Sequence, residues 1–218
     1  MSKRHWALMA ATLVSIIYGV TFTIAKDVMP EFIEPFGFIL LRVGGSVLLF
    51  WMVSFFGPKE KIAKSDFPRI IAAAFFGVAL NMLTFFKGLS YTSPIMGAVL
   101  MVTTPMIVLI LSAIIMKERM LKRKVFGIIL GLAGTVSLIL YGKSMINAPN
   151  EMLGNLLVFI NAVSYGFYLI IVKKLMDKYN AFTFVKWIYS FGFLMVLPFG
   201  WNEFIAVNWS LVPIDIFW

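Results

Sequence analysis

The stretch WALMAATLVSIIYGVTFTIA, residues 6–25, runs for twenty residues without a charge and decides what kind of protein this chain is. At 1.5 Å per residue an α-helix of that length is about 30 Å long, the thickness of a bilayer's hydrocarbon core. Lys3 and Arg4 precede the run, and Lys26 and Asp27 follow it. It is longer than the apolar core of a signal peptide, and no small-x-small cleavage site precedes the next polar stretch. It reads as a retained membrane span.

Moving outward, the same pattern recurs at 36–56, 70–89, 94–116, 125–141, 154–172 and 182–201, giving seven expected spans. Pro35 and Pro94 sit where the first turn of a helix tolerates proline. The connections 57–69, 117–124 and 142–153 are polar. The whole chain is 61% hydrophobic and only 13% charged, with a mean hydropathy of +0.94. Soluble domains sit near 45–50% apolar and about 25% charged, so a soluble fold is excluded. The expected fold class is an all-α integral membrane protein. Cysteine is absent, which removes disulfides, a thiolate nucleophile and cysteine metal sites. The single histidine, His5, lies among Lys3 and Arg4 with no second ligand in helical reach, so no metal is expected.

A formal charge of +9 invites a nucleic-acid reading until the charges are placed. Fifteen of the nineteen basic residues fall on the amino-terminal side of the spans: Lys3 and Arg4, then those of 59–69, 117–124 and 173–186. Lys26 and Lys143 fall on the other side, and Arg42 and Lys87 lie within spans. This is the positive-inside bias, so the amino terminus is expected in the cytoplasm and no nucleic acid as partner.

Sliding the chain against itself reveals a weak repeat that carries Tyr18-Gly19 onto Tyr165-Gly166, Lys26 onto Lys173, Met29 onto Met176 and Gly45 onto Gly192. Spans one and two match spans six and seven. Five spans, an odd number, separate the copies, so the second copy enters the membrane from the opposite side. Inverted repeats of this kind build secondary transporters, with substrate bound near the midplane between the halves. The expected organisation is a five-helix repeat at 1–142, an external linker at 143–153, and a partial, inverted second repeat at 154–218. Two full copies would make ten helices. On that reading the chain ends at the start of an eighth span and is a truncated form of a longer protein.

Several motifs follow this frame. They are Ala79-Leu80-Asn81, Gly88-Leu89-Ser90-Tyr91-Thr92-Ser93-Pro94, Thr104-Pro105, Lys117-Glu118-Arg119, and the glycines Gly127, Gly131 and Gly134. With Tyr18-Gly19, Arg42 and Tyr165-Gly166 they resemble the EamA-type drug/metabolite transporters. The resemblance covers one complete repeat and about half of the second. It implies a ten-helix secondary transporter in the plasma membrane that moves small metabolites, often as an exporter of amino acids or related compounds.

Arg42 stands about 10 Å into its span, where a charge is costly and faces a partner or a cavity. It anchors a substrate carboxylate or gates by an ion pair, or else it snorkels outward; both readings stay open. Lys87 lies near a span end and is expected to snorkel. Asn81 and Phe85, with Tyr18 and Tyr165, are candidates for a polar, aromatic substrate cavity; the bland alternative is hydrogen bonding between helices. Asn161 and Tyr168 are undecided between the same two readings. The three glycines form a small-residue stripe expected to pack helices. Pro94 and Pro105 are expected to kink span four, and Glu118 to pair locally with its basic neighbours.

No acidic residue lies deep in a span, so no proton-carrying carboxylate is visible. Enzymatic chemistry finds no footing. Gly142-Lys143-Ser144 mimics the end of a phosphate loop, but Ser137 stands where that loop needs glycine. Asn208-Trp209-Ser210 is a glycosylation acceptor only in a eukaryotic secretory pathway. The alternatives are a non-transporting fragment and a seven-helix receptor or rhodopsin-like protein with Lys186 as Schiff-base lysine. The receptor needs an external amino terminus and a buried counter-ion, and the sequence offers neither. The expected partners are the lipid bilayer and a small-molecule substrate, without cofactors. A homodimer stays open.

Overall fold

The computed structural model describes residues 3–29, 31–58, 60–116, 121–141 and 150–210. The Glu118 pair, the linker as far as Pro149, the Tyr18 side chain and the start of an eighth span lie outside the described residues. Among those described, every regular element is helical. In chain order they are α1 (Lys3–Val28), α2 (Pro35–Ser54), α3 (Phe67–Ala74), α4 (Leu80–Tyr91), α5 (Pro94–Met101), α6 (Thr104–Met116), α7 (Lys122–Tyr141), α8 (Glu151–Met176) and α9 (Ala181–Ile205). A 3₁₀ turn, Lys64–Asp66, leads into α3, and a π-turn, Phe75–Ala79, joins α3 to α4.

The chain starts helices where side chains or proline solve the end problem. Pro35 occupies the first turn of α2. Ser93 accepts a bond from the Met96 amide before Pro94 opens α5. Asn150 and Asn180 accept amides at the starts of α8 and α9. These caps satisfy N–H groups that the helix leaves without internal acceptors.

Six helical stretches are long and apolar enough to cross a membrane: α1, α2, the joined α3–α4, the joined α5–α6, α8 and α9. The remaining expected span, 125–141, falls on the 20-residue α7. Span four differs from the expected kink, because the helix is interrupted at Val102 and Thr103. Pro105 has no N–H to donate to the Met101 carbonyl. The Thr103 amide and hydroxyl both turn back on the Leu100 carbonyl, at 3.1 and 2.6 Å. The π-turn in span three has no proline and was not foreseen.

Two antiparallel pairs make the core. α2 packs along α9, and α3–α4 packs along α8. Ile39, Val43, Ile70, Val78, Leu89, Phe184 and Ile188 are fully enclosed between them. Glycines permit the closest approach: a Cβ on Gly88 would stand 2.9 Å from the Gly154 carbonyl, and one on Gly154 would stand 2.8 Å from the Gly88 carbonyl. By contrast α1 exposes Leu8, Leu13, Val14, Ile16 and Ile17, and α7 exposes Phe126, Ile129 and Leu130. Faces of that size and apolarity suit hydrocarbon, not water.

Candidate functional site

The irregular backbone of span three organises the centre. A π-turn leaves a carbonyl without its usual donor, and Ser164 on α8 supplies one, its hydroxyl donating to the Phe76 carbonyl at 2.6 Å. The Tyr168 ring lies directly on Gly77, where any side chain would collide with it. One turn on, Asn81 and Asn161 bond reciprocally: the Asn81 amide donates to the Asn161 carbonyl at 3.3 Å, and the Asn161 amide to the Asn81 carbonyl at 2.9 Å. Further along, the buried Thr92 hydroxyl donates to Asn155 Oδ1 at 2.7 Å. The Asn161 Oδ1 and Thr104 hydroxyl oxygens are buried without a hydrogen-bond partner among the described residues.

Arg42 stands on the exposed side of α2, its guanidinium 5.5 Å from the centre of the Phe86 ring. Phe38 packs edge-on against the same ring at 5.2 Å. Between α1 and α2, Arg42, Phe38, Thr21 and Ile17 line a groove of about 310 Å³. On the other flank Tyr165 stacks on Tyr168 at 5.7 Å, and Tyr189 packs on Phe50 at 4.8 Å. The three tyrosine hydroxyls are within electrostatic reach of one another, and Tyr189 of Arg42. Among the described residues, one cation, aromatic faces and phenol hydroxyls thus lie near one another in an apolar setting, with no acid among them.

The sequence candidates divide accordingly. Arg42 and Tyr165 join this cluster through Tyr189. Asn81 is tied to α8, and Phe85 is buried edge-on against Phe86 at 5.0 Å. Of the three glycines, Gly131 meets Met106, while no described atom lies within 4 Å of a Cβ placed on Gly127 or Gly134. Lys87 lies over the rings of Phe36 and Tyr91, at 5.4 and 5.1 Å. Lys186 donates to the Ser54 hydroxyl at 2.9 Å. Sequence reasoning missed Tyr189, although the repeat that maps Tyr18 onto Tyr165 also maps Arg42 onto it.

It also missed the polar ties at the ends of the spans. Asp66, in the turn ahead of α3, receives the Tyr179 hydroxyl at 2.9 Å, Lys178 at 3.1 Å and Arg69 at 3.3 Å. The Tyr179 hydroxyl first, and Lys178 next, hold the Asp66 carboxyl below the usual carboxylate range. Glu60 accepts the Asn180 amide and the Thr183 hydroxyl, both at 2.8 Å. At the far end Glu203 accepts the Phe36 and Gly37 amides at 2.7 and 2.9 Å, a carboxylate set on the positive end of α2.

With this architecture in view, residues 5–140 match the EamA-like transporter family. The chain belongs to the EamA-like transporter family. Among its relatives, the uncharacterized transporter YetK of Bacillus subtilis is 26% identical, over 100% of this chain and 66% of its own length. An uncharacterized transporter of Archaeoglobus fulgidus is 29% identical over 90% of this chain and 67% of its own. A WAT1-related protein of Arabidopsis thaliana is 29% identical over 67% of this chain and 44% of its own. The chain thus spans about two thirds of the length of the first two. No solved structure matches it. The match to the EamA-like family runs from α1 into α7, and the chain is accordingly a multi-pass membrane protein of transporter type.

Proposed function

We propose that this chain carries the first five-helix repeat, and the opening helices of a second inverted one, of a secondary transporter working by alternating access. The observation that carries this is the antiparallel crossing of α2 and α9. Trp51 bonds Ser190, Gly44 sits against Phe193, and Gly37 reaches Glu203. These contacts centre on the level of Ser46 and Phe193, which the repeat makes counterparts of each other. A two-fold axis in the membrane plane puts counterparts face to face at one level in this way. Under the same symmetry Val14 and Ile17 of α1 are the counterparts of Asn161 and Ser164, which pack on span three. Both are exposed, at 58% and 56%. In a protein of the relatives' length, the counterpart of α3–α4 covers that face.

The substrate path runs beside Arg42, Tyr165 and Tyr189. Small metabolites such as amino acids or related compounds supply the carboxylate that Arg42 attracts, and the aromatic walls accept the remainder. The protein sits in the cell membrane with the amino terminus in the cytoplasm, the orientation that the basic loops favour.

The test is transport of an amino-acid panel by a version extended to the relatives' full length and reconstituted in proteoliposomes. Arg42→Ala is expected to lower the rate tenfold or more, and Arg42→Lys to lower it less, because a point charge retains attraction without the bidentate fork. Unchanged transport in Arg42→Ala would remove Arg42 from the path. Tags at Met1 and at 117–120 found outside the cell would overturn the orientation and the inverted repeat together.

A further inference from the structure

A second site lies away from the tyrosine cluster. A slot of about 280 Å³ opens between α3, α6 and α8. Its α8 wall is the stripe Phe167, Ile170, Ile171 and Lys174, spaced i, i+3, i+4 and i+7, so one helix face runs about 10 Å down the slot. Ala72 and Ile115 close the apolar sides. Arg69 faces Lys174 at the rim. Contacts above and below fix the level of that rim. Asp66 holds Lys178 beyond it at 3.1 Å, and Phe76 stacks on Phe167 beneath it at 5.1 Å. No acid lines the slot. Arg69 commits one nitrogen to Asp66, at 3.3 Å, and its side chain remains 35% exposed.

We propose that this slot binds an anionic phospholipid, its phosphate between Arg69 and Lys174 and the upper part of one acyl chain against Phe167, Ile170 and Ile115. Two observations select that occupant. The two charges that line the slot are positive, and Lys178 offsets Asp66 beside them, so the rim is net positive and a zwitterionic lipid brings its ammonium towards like charge. The walls below are wholly apolar, so a free anion fills only the rim. Basic pockets between membrane helices commonly hold lipid headgroups in this manner. Arg69 is then shared between lipid phosphate and the Asp66 tie, so the lipid reinforces the join between α3 and the α8–α9 turn.

The experiment is native mass spectrometry of the full chain, purified in mild detergent and titrated with phosphatidylglycerol, phosphatidylcholine or inorganic phosphate. Phosphatidylglycerol is expected to be retained and the other two not. Each rim charge removed, in Lys174→Gln or Arg69→Gln, weakens retention roughly fivefold, and their combination about thirtyfold, at the usual strength of one basic residue near an anionic surface. Ala72→Phe fills the slot while leaving both charges, and it abolishes retention if the acyl chain enters. Lys122→Gln, at the start of α7 and outside the slot's lining, retains the lipid as the unaltered chain does. Equal retention of both phospholipids, competition by inorganic phosphate alone, or undiminished retention in Lys174→Gln and Ala72→Phe would each overturn the proposal.

Discussion

Gly88→Ala adds a single methyl group where two backbones meet. The new Cβ would stand 2.9 Å from the Gly154 carbonyl oxygen, 3.0 Å from Leu157 Cβ and 3.0 Å from Val158 Cγ2. The first is backbone and the second is fixed to backbone, so neither can swing aside. Span three and α8 must therefore part by several tenths of an ångström at this level. Overpacking of this kind costs about 1–3 kcal/mol in well-packed cores. Separation also stretches the buried bond from Thr92 to Asn155, now 2.7 Å, one turn away. Hydrogen bonds between membrane helices average about 0.6 kcal/mol and reach about 1.7. Less the up to about 1 kcal/mol that alanine gains over glycine in any helix interior, these terms place Gly88→Ala about 1–3 kcal/mol below the unaltered protein.

The control is Gly127→Ala, chemically the same change in α7, where no described atom lies within 4 Å of the added Cβ. There the intrinsic helix preference of alanine over glycine, up to about 1 kcal/mol, is the only term, and it stabilises. Reversible unfolding in mixed micelles, followed by far-ultraviolet circular dichroism, measures both. The two variants should therefore differ by at least about 2 kcal/mol, Gly88→Ala being the less stable. Equal stability, or the reverse order, would mean that the Gly88–Gly154 contact does not set the distance between these helices.

Other expectations follow from the polar ties. Ser164→Ala leaves the Phe76 carbonyl of the π-turn without its 2.6 Å donor and should cost about 0.5–1.7 kcal/mol in the same unfolding assay. Gly77→Leu should be worse than Ser164→Ala, because Tyr168 occupies the space its side chain needs. The Asp66 tie should be complete at neutral pH, since its carboxyl titrates below the ordinary carboxylate value. Stability from a depressed carboxylate is present above its unfolded value and is lost as pH falls through the folded one. The contribution of this tie to unfolding stability should therefore stay flat from pH 8 to about 5, the range over which such a carboxylate remains ionised, and fall only in stronger acid. In Asp66→Asn the lower stability should appear at every pH, with the acid-dependent step lost.

How much was legible in the sequence depended on how much chemistry a single residue type carries in lipid. A long uncharged run has almost one meaning, because backbone groups in hydrocarbon must bond within their own helix. The membrane class and the span positions followed from that constraint, while the family likeness came from the motifs set along the spans. Pro105 was visible too, but its effect depended on Thr103, whose hydroxyl bonds the Leu100 carbonyl in place of continuing the helix. The π-turn at Phe75–Ala79 left no such mark. It depends on Ser164, nearly ninety residues away, offering a donor at the right height.

Polar residues inside spans were harder, because their two uses look alike in one dimension. Asn81 and Arg42 both read as cavity candidates. A short amide can close on a neighbouring helix, and Asn81 has such a partner in Asn161. A guanidinium on a long stem, with no carboxylate reaching it among the described residues, stays open to a ligand, and Arg42 is backed by the Phe86 ring. What separates the two is the partner supplied by another span, and only the repeat offered a clue to it. The offset that paired Tyr18 with Tyr165 also paired Arg42 with Tyr189, but as unlike residues, so a search for identities passed over them. In an inverted repeat, positions near the two-fold axis face their own counterparts across it. On the proposed inverted-repeat reading, a cation on one copy opposite a phenol on the other would make the substrate path asymmetric, as a substrate with distinct ends requires.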